Sequence, residues 1–238
     1  MIRFEHTIIG HQHPLIAIED LTLQAGKVYA LLGLNGSGKS TLLQTLAAQI
    51  APLDGSLTLN HYPIAQLAKD GNLRAQQIAF VSSRFEGIDH LNVFDYVALG
   101  RTPHTSFFGK ISVDDQHTVG QTLKDLSLTH LTQKLTKELS DGERQLVSLA
   151  RAFVQDTPVL LLDEPASFLD FLNRENLLMA LLAWVKKNKR CVLLSSHDLD
   201  LCLEHKLPLL AINGGQIQQL QVQSKKEVVA ILLQNTAH

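Results

Sequence analysis

The chain has 238 residues, of which 45% are hydrophobic and 18% charged, with a formal net charge of -2. That balance fits one large α/β domain with a sizeable core, or two small ones, and excludes a disordered chain; without a basic excess, nucleic acid is not expected as a partner. Two cysteines make no disulfide framework, and no stretch approaches the roughly 18 to 20 apolar residues that cross a bilayer as a helix.

Residues 1–6 lack the charged-then-apolar pattern of a signal peptide. The first stretch reads as β-structure: Leu21-Thr22-Leu23 alternates, Gly26 marks a turn, and Val28-Tyr29-Ala30-Leu31-Leu32 is a buried strand. A glycine-rich loop ends at Lys39. Leu42, Leu43, Leu46, Ala47 and Ile50 then recur at helical spacing until Pro52 and Gly55 stop the helix. Ser56-Leu57-Thr58-Leu59 alternates as a strand, and Ile78-Ala79-Phe80-Val81 is a short apolar one. Residues 84–120 turn polar and aromatic, with Pro103 and Gly109 as breakers, which predicts an inserted helical region with a loop over 102–112; helical spacing returns over 114–126. Leu146, Leu149, Ala150 and Phe153 form one helical face after Gly142. Val159-Leu160-Leu161-Leu162 is a fully apolar strand that runs into Asp163-Glu164-Pro165. A helix over 173–187 leads to a strand over 191–195, which Cys191 opens as a buried, inert thiol. The run Lys186, Lys187, Lys189, Arg190 reads as a solvated helix end. The tail predicts a short strand pair around Gly214-Gly215 and a last helix from Lys225. Apolar strands alternating with helices imply an α/β fold with a mostly parallel, covered sheet after an N-terminal antiparallel β region. We expect one domain over 1–238, with a helical subdomain at about 84–155 inserted in it.

Chemistry concentrates at three places. Gly33-Leu34-Asn35-Gly36-Ser37-Gly38-Lys39-Ser40 fits the phosphate-loop spacing of two glycines, a lysine and a hydroxyl. Glycines let successive N–H groups turn toward phosphate oxygens, and the following helix presents its positive end to the same anion. Lys39 is placed for the β- and γ-phosphates and Ser40 for Mg2+. Asp163 ends a buried strand, where a carboxylate holds Mg2+ through water or simply caps a helix. Glu164, beside it, is placed to polarise an attacking water. Ser140, with Glu143 three residues on, makes a capping box at a helix start. The sharper alternative is that this helix end faces the phosphates of a second nucleotide.

These residues together resemble the nucleotide-binding domain of the ATP-binding-cassette family, over nearly the whole chain. Gly33, Leu34, Asn35, Gly36, Ser37, Gly38, Lys39, Ser40 and Thr41 resemble the Walker A loop. Residues 159–164 resemble the Walker B strand with its catalytic glutamate. Leu139-Ser140-Asp141-Gly142-Glu143 resembles the signature sequence. Ser167-Phe168-Leu169-Asp170 resembles the D-loop, and His197, in Ser195-Ser196-His197-Asp198, the switch histidine. His6, His11, His13 and His61 have no metal-like spacing and read as surface residues. Val97-Ala98-Leu99-Gly100-Arg101-Thr102-Pro103 with Phe107-Phe108-Gly109, and Phe168-Leu169-Asp170 followed by Asn173-Arg174, resemble the iron–siderophore, haem and cobalamin importer branch.

The resemblance implies a P-loop ATPase that binds ATP and Mg2+, with Glu164, His197 and Lys39 catalytic. It implies a head-to-tail homodimer in which residues 140–143, among them Ser140, Gly142 and Glu143, complete the partner copy's site, and it makes Asp170 a further ATP-binding residue. Two transmembrane permease subunits and, indirectly, an extracytoplasmic substrate-binding protein are the further partners, the permeases being met through residues 84–112. The expected location is cytoplasmic, peripheral on the inner face of the cell membrane. The rival readings are a soluble cassette ATPase not coupled to transport, and a P-loop kinase or GTPase. The first lacks its usual second cassette or long coiled-coil insertion here; the second would not carry the signature helix and His197.

Three departures stand out. Ser83 replaces the family's metal-contacting glutamine and reaches Mg2+ only through water. Ile9 stands where an aromatic usually stacks on adenine, which predicts weaker base contact and looser nucleotide choice, with His11 able to stack instead. Asp141 and Glu143 replace the commoner glycine and glutamine; Glu143 can turn into the capping box, whereas the sequence offers no account of Asp141.

Overall fold

The computed structural model describes residues 1–105, 111–221 and 224–234. The chain opens with strands β1 (Ile2–Gly10), β2 (Pro14–Leu23) and β3 (Lys27–Gly33), then helix α1 (Lys39–Leu46). Strands β4 (Asp54–Leu59) and β5 (Tyr62–Pro63), helices α2 (Ile64–Lys69) and α3 (Gly71–Gln77), and strand β6 (Ile78–Val81) follow. Next come α4 (Val93–Ala98), a 3-10 helix (Leu99–His104), α5 (Val113–Asp125) and α6 (Asp141–Gln155). The last third alternates: β7 (Val159–Leu162), α7 (Phe171–Asn188), β8 (Cys191–Ser195), α8 (Leu199–Glu204), β9 (Leu209–Asn213), β10 (Gln216–Leu220) and α9 (Lys225–Leu233).

The strands form one sheet in the order β5-β4-β1-β2-β10-β9-β3-β8-β7-β6. β9, β3, β8, β7 and β6 run parallel, while β1, β2, β4 and β5 form an antiparallel arm. The fold is therefore α/β with a mostly parallel sheet, as the alternation of apolar runs implied, and has the P-loop NTPase core that the family resemblance implied. Period-two burial splits the parallel strands between two cores. Tyr29, Leu31, Leu161 and Leu193 pack with α1 and the arm. Val28, Ala30, Leu32, Leu160, Leu162, Val192 and Leu194 pack against Leu177, Leu178 and Leu181 of α7. A third cluster, including Val93, Val97, Val119, Leu123 and Val147, fills the helical region. Helix α6 serves both sides, giving Leu149, Ala152 and Phe153 to the sheet and Val147, Ala150 and Val154 to the helices.

Several local expectations change. α1 ends at Leu46 rather than running to Ile50, because Ala48 adopts a left-handed φ of 56°. Thr102, Pro103 and His104 belong to a 3-10 helix rather than a loop, held by Gln76 Nε2–H donating to the Pro103 carbonyl at 3.1 Å. Residues 106–110, and so Phe107-Phe108-Gly109, lie outside the described residues. Helices α2, α3 and α8 have six or seven residues each, too short to stand out as a period. Cys191 is fully buried and burial pushes its thiol up to about 12, which makes it an unreactive packing residue.

Candidate active site

β3 delivers the chain to a turn closed by Ser37 N–H donating to the Leu34 carbonyl at 3.1 Å. Gly38 has φ 102°, and a Cβ there would lie 2.8 Å from Ile16 Cδ1. Only glycine meets both demands. α1 starts at the next residue, so its first N–H groups point into the loop. Lys39 is 6% exposed and folds back, its Nζ donating to the carbonyls of Gly33 (2.8 Å) and Leu34 (3.2 Å). Burial holds its ammonium below the ordinary lysine value, and the Glu164 and Asp163 carboxylates oppose that shift. The Ser37 Oγ is buried without a hydrogen-bond partner. A buried unpaired hydroxyl beside a glycine turn and a lysine suits an anion rather than a packed core.

The ends of β7 and β8 supply the acids and the histidine. Asp163 is 8% exposed and its N–H donates to the Val81 carbonyl at 2.9 Å. Glu164 turns sharply, with φ 49°. His197 Nε2–H donates to Glu164 Oε1 at 2.9 Å, since a carboxylate only accepts. Gly33, Leu34, Asn35, Glu164 and His197 line one cavity of about 980 Å3. The phosphate loop, the second acid and the histidine thus converge from the ends of three adjacent parallel strands.

Other expected site residues stand elsewhere. Ser40 and Thr41 lie in the first turn of α1, Ser40 exposed and Thr41 half-buried. Ser140 caps α6: its Oγ accepts from Glu143 N–H at 3.3 Å while its own N–H donates to Glu143 Oε2 at 2.7 Å. That backbone bond holds the Glu143 carboxyl below its ordinary value, and Lys134 at 3.4 Å adds to it. Asp141, unexplained from sequence, pairs with Arg144 at 2.6 Å. A Cβ on Gly142 would meet Leu169 Cδ2 and the Phe168 carbonyl at 3.3 Å, so this helix start rests on residues 168–169. Asp170 caps α7 through Asn173 N–H at 2.8 Å. Ser140, Gly142, Glu143 and Asp170 do not line the cavity of their own chain. Ser83 lines a second cleft of about 350 Å3 with Arg84, Phe85, Asp141, Arg144 and Phe168, to which no phosphate-loop residue contributes.

The expectation for Ile9 is corrected. Ile9 is fully buried, pairs with Ile16 across the β1–β2 hairpin and packs in the same core as Ile2 and Phe4. Strand parity turns it away from solvent, so it offers no surface to a base. His11 and His13, in the exposed turn after β1, are the aromatic side chains at that edge. Sequence reasoning missed Ser195, whose signal is a polar residue closing a buried apolar run two positions before His197.

Comparison with known proteins follows the same lines. The family model described as ABC transporter matches residues 18–167. The thiamine import ATP-binding protein ThiQ of Aliivibrio fischeri is 36% identical over 200 residues, covering 84% of this chain and 82% of ThiQ. The iron(3+)-hydroxamate import ATP-binding protein FhuC of Bacillus subtilis is 31% identical over 205 residues, covering 85% and 75%. Among solved structures, an inward-facing transporter assigned to the metal-chelate type aligns with a TM-score of 0.81 at 27% identity, covering 97% of this chain and 88% of that one.

Proposed function

This chain belongs to the ABC transporter ATP-binding family, and on that premise we propose that it is the ATP-hydrolysing subunit of an importer for iron–siderophore, haem or cobalamin-type cargo. The observation that carries the site assignment is the convergence of Gly33, Asn35, Glu164 and His197 on one cavity. The loop amides and Lys39 bind the triphosphate and meet the charge that develops on the transferring phosphoryl group. For that, Lys39 exchanges the Gly33 and Leu34 carbonyls for phosphate oxygens. Glu164 orients the attacking water and takes up its proton. His197 fixes the Glu164 carboxylate before reaction and contacts the γ-phosphate during it. Ser40 and Asp163 would hold Mg2+, which when bound neutralises charge on the β- and γ-oxygens. The donor set fits: a hydroxyl in the first turn of α1 and a nearly buried carboxylate are hard oxygen ligands. Ser83 would act there only through water, and its place in the neighbouring cleft weakens that assignment.

The site is half of a composite one. The start of α6 is exposed at Ser140 and Asp141 and lines no part of the cavity beside its own phosphate loop. Phe168, Phe171 and Leu172 beside it are 44%, 80% and 67% exposed. Both features suit a head-to-tail second copy, with each ATP between the loop of one chain and Ser140, Gly142, Glu143 and Asp170 of the other. No helix among the described residues is long and apolar enough to cross a membrane. Passage of cargo therefore falls to two permease subunits, met through residues 84–112, with an extracytoplasmic binding protein beyond them and this chain on the inner membrane face. FhuC and the metal-chelate transporter support the cargo class, whereas ThiQ makes thiamine the rival. The test is copurification with polytopic membrane subunits, reconstitution in vesicles, and ATPase measurement with each cargo and its binding protein. Stimulation by a ferric siderophore is the expected result. Stimulation by thiamine alone overturns the cargo, and the absence of any membrane partner overturns the transport reading.

A further inference from the structure

Ser195 belongs to the stretch that carries His197, yet no role has been given to its side chain. Ser195 ends β8 and is fully buried, in register with Leu31 of β3. Its Oγ lies 2.8 Å from Asp163 Oδ1 and 2.8 Å from the Glu164 nitrogen. Chemistry fixes both directions. A backbone N–H can only donate, so the hydroxyl accepts from Glu164. Its single proton then goes to the Asp163 carboxylate, which can only accept. One buried hydroxyl thereby holds the side chain of one acid and the backbone of the next.

The neighbouring contacts close a ring. His197, two residues after Ser195, bonds the Glu164 carboxylate at 2.9 Å. Ser196 N–H donates to the Leu31 carbonyl at 3.1 Å, which pins this strand end to β3 just before the phosphate loop. Glu164 is thus held at its backbone by Ser195 and at its carboxylate by His197, both from the end of β8. That grip falls on a residue whose φ of 49° is left-handed and so requires outside support. A hydroxyl with no exposed surface has lost its hydration, which only these two bonds offset, so apolar packing alone gives no reason for serine over alanine here.

We propose that Ser195 is a positioning residue for phosphoryl transfer. It sets the Asp163 carboxylate and the Glu164 backbone in register, so that the metal-facing acid and the water-facing acid are pre-aligned. This rests on the ATPase reading above and adds to it a residue that acts through both acids without touching substrate.

The test compares wild type, Ser195→Ala and Ser195→Thr as full chains. Three readouts are taken: kcat and KM for ATP, Mn2+ affinity in the ATP complex by electron paramagnetic resonance, and melting temperature. Ser195→Ala is expected to lower kcat about 10- to 100-fold, the scale set by misplacing a reacting group. Mn2+ binding should weaken while KM for ATP holds, and Ser195→Thr, which returns the hydroxyl, should recover both. Should Ser195→Ala not fold, Ser195→Cys keeps the volume, weakens both bonds and is read in its place. Unchanged kcat and Mn2+ affinity in the variant overturn the proposal. So does a lower melting temperature with Mn2+ affinity intact, which would mark Ser195 as merely structural. A wild-type chain that does not hydrolyse ATP instead overturns the underlying site assignment.

Discussion

Replacing Glu164 by glutamine isolates the carboxylate from everything around it. The side-chain volume is kept. The backbone N–H still donates to Ser195 Oγ at 2.8 Å, and the φ of 49° is as accessible to glutamine as to glutamate. The amide oxygen still accepts from His197, at the 2.9 Å that Oε1 now has. Lys39 and the loop N–H groups, proposed to bind the triphosphate, are untouched. What disappears is one negative charge and the proton acceptor proposed to face the lytic water. A positioned general base contributes roughly 10²- to 10⁴-fold. Glu164→Gln should therefore lower kcat by that factor, or about 2.7 to 5.4 kcal/mol of barrier at about 1.36 kcal/mol per decade. Affinity for ATP should stay near wild type, because no ground-state contact is lost. Phosphate release under saturating MgATP measures the first quantity, and equilibrium binding of a fluorescent ATP analogue the second. Turnover within tenfold of wild type would refute the role of Glu164, and lost binding would show that the substitution disturbed the loop instead.

Lys39→Ala removes a buried cation that makes charge-assisted bonds worth about 1.5–3 kcal/mol, so nucleotide affinity should fall roughly 10- to 150-fold, read by the same binding assay. Gly38→Ala places a methyl 2.8 Å from Ile16 Cδ1 at φ 102°; a cost of about 1–3 kcal/mol should appear as a lower melting temperature together with lost nucleotide binding. The Glu143 carboxyl is held below its ordinary value of about 4.3, first by the Ser140 N–H. Its stabilisation is therefore complete above that value and is lost as pH falls through the native one. In denaturant titrations wild type should exceed Glu143→Gln near neutral pH, and the gap should close on acidification; a gap that widens would refute this.

The phosphate loop was legible because its geometry admits so few residues: Gly38 must be glycine, and Lys39 must follow at the helix start. The four-residue apolar run before Asp163 was legible because a central strand buried on both faces has no polar side to interrupt it. Ile9 was misplaced because its orientation depends on the parity of the whole of β1, which carries a register shift after Glu5 that local alternation does not reveal. Asp141 became intelligible only with Arg144 beside it, a pairing that needs the helix to exist. Ser195 escaped because its two partners lie more than thirty residues away along the chain and meet it only when β7 and β8 pair.

The antiparallel arm shares a buried core with the parallel strands, but its backbone joins the rest of the sheet along a narrow seam. β2 pairs with β10 in register only at Ala17 and Gln216, where Ala17 N–H donates to the Gly215 carbonyl at 2.7 Å. The phosphate loop straddles that seam, with Gly38 against Leu15 and Ile16 of the arm and Gly33 against Ile212 of β9. A triphosphate bound there, as the proposed function has it, would work as a clasp. Peeling the arm away must also release the nucleotide, so ligand binding adds RT ln(1 + [L]/Kd) to the opening free energy, about 2.7 kcal/mol at a hundredfold excess over Kd. Amides of β1, β2 and β4 should exchange with solvent more slowly in saturating ATP, while β7 and β8, already enclosed, should change least. Nucleotide would in that case add one more tie between the arm and the core to the apolar packing that already joins them.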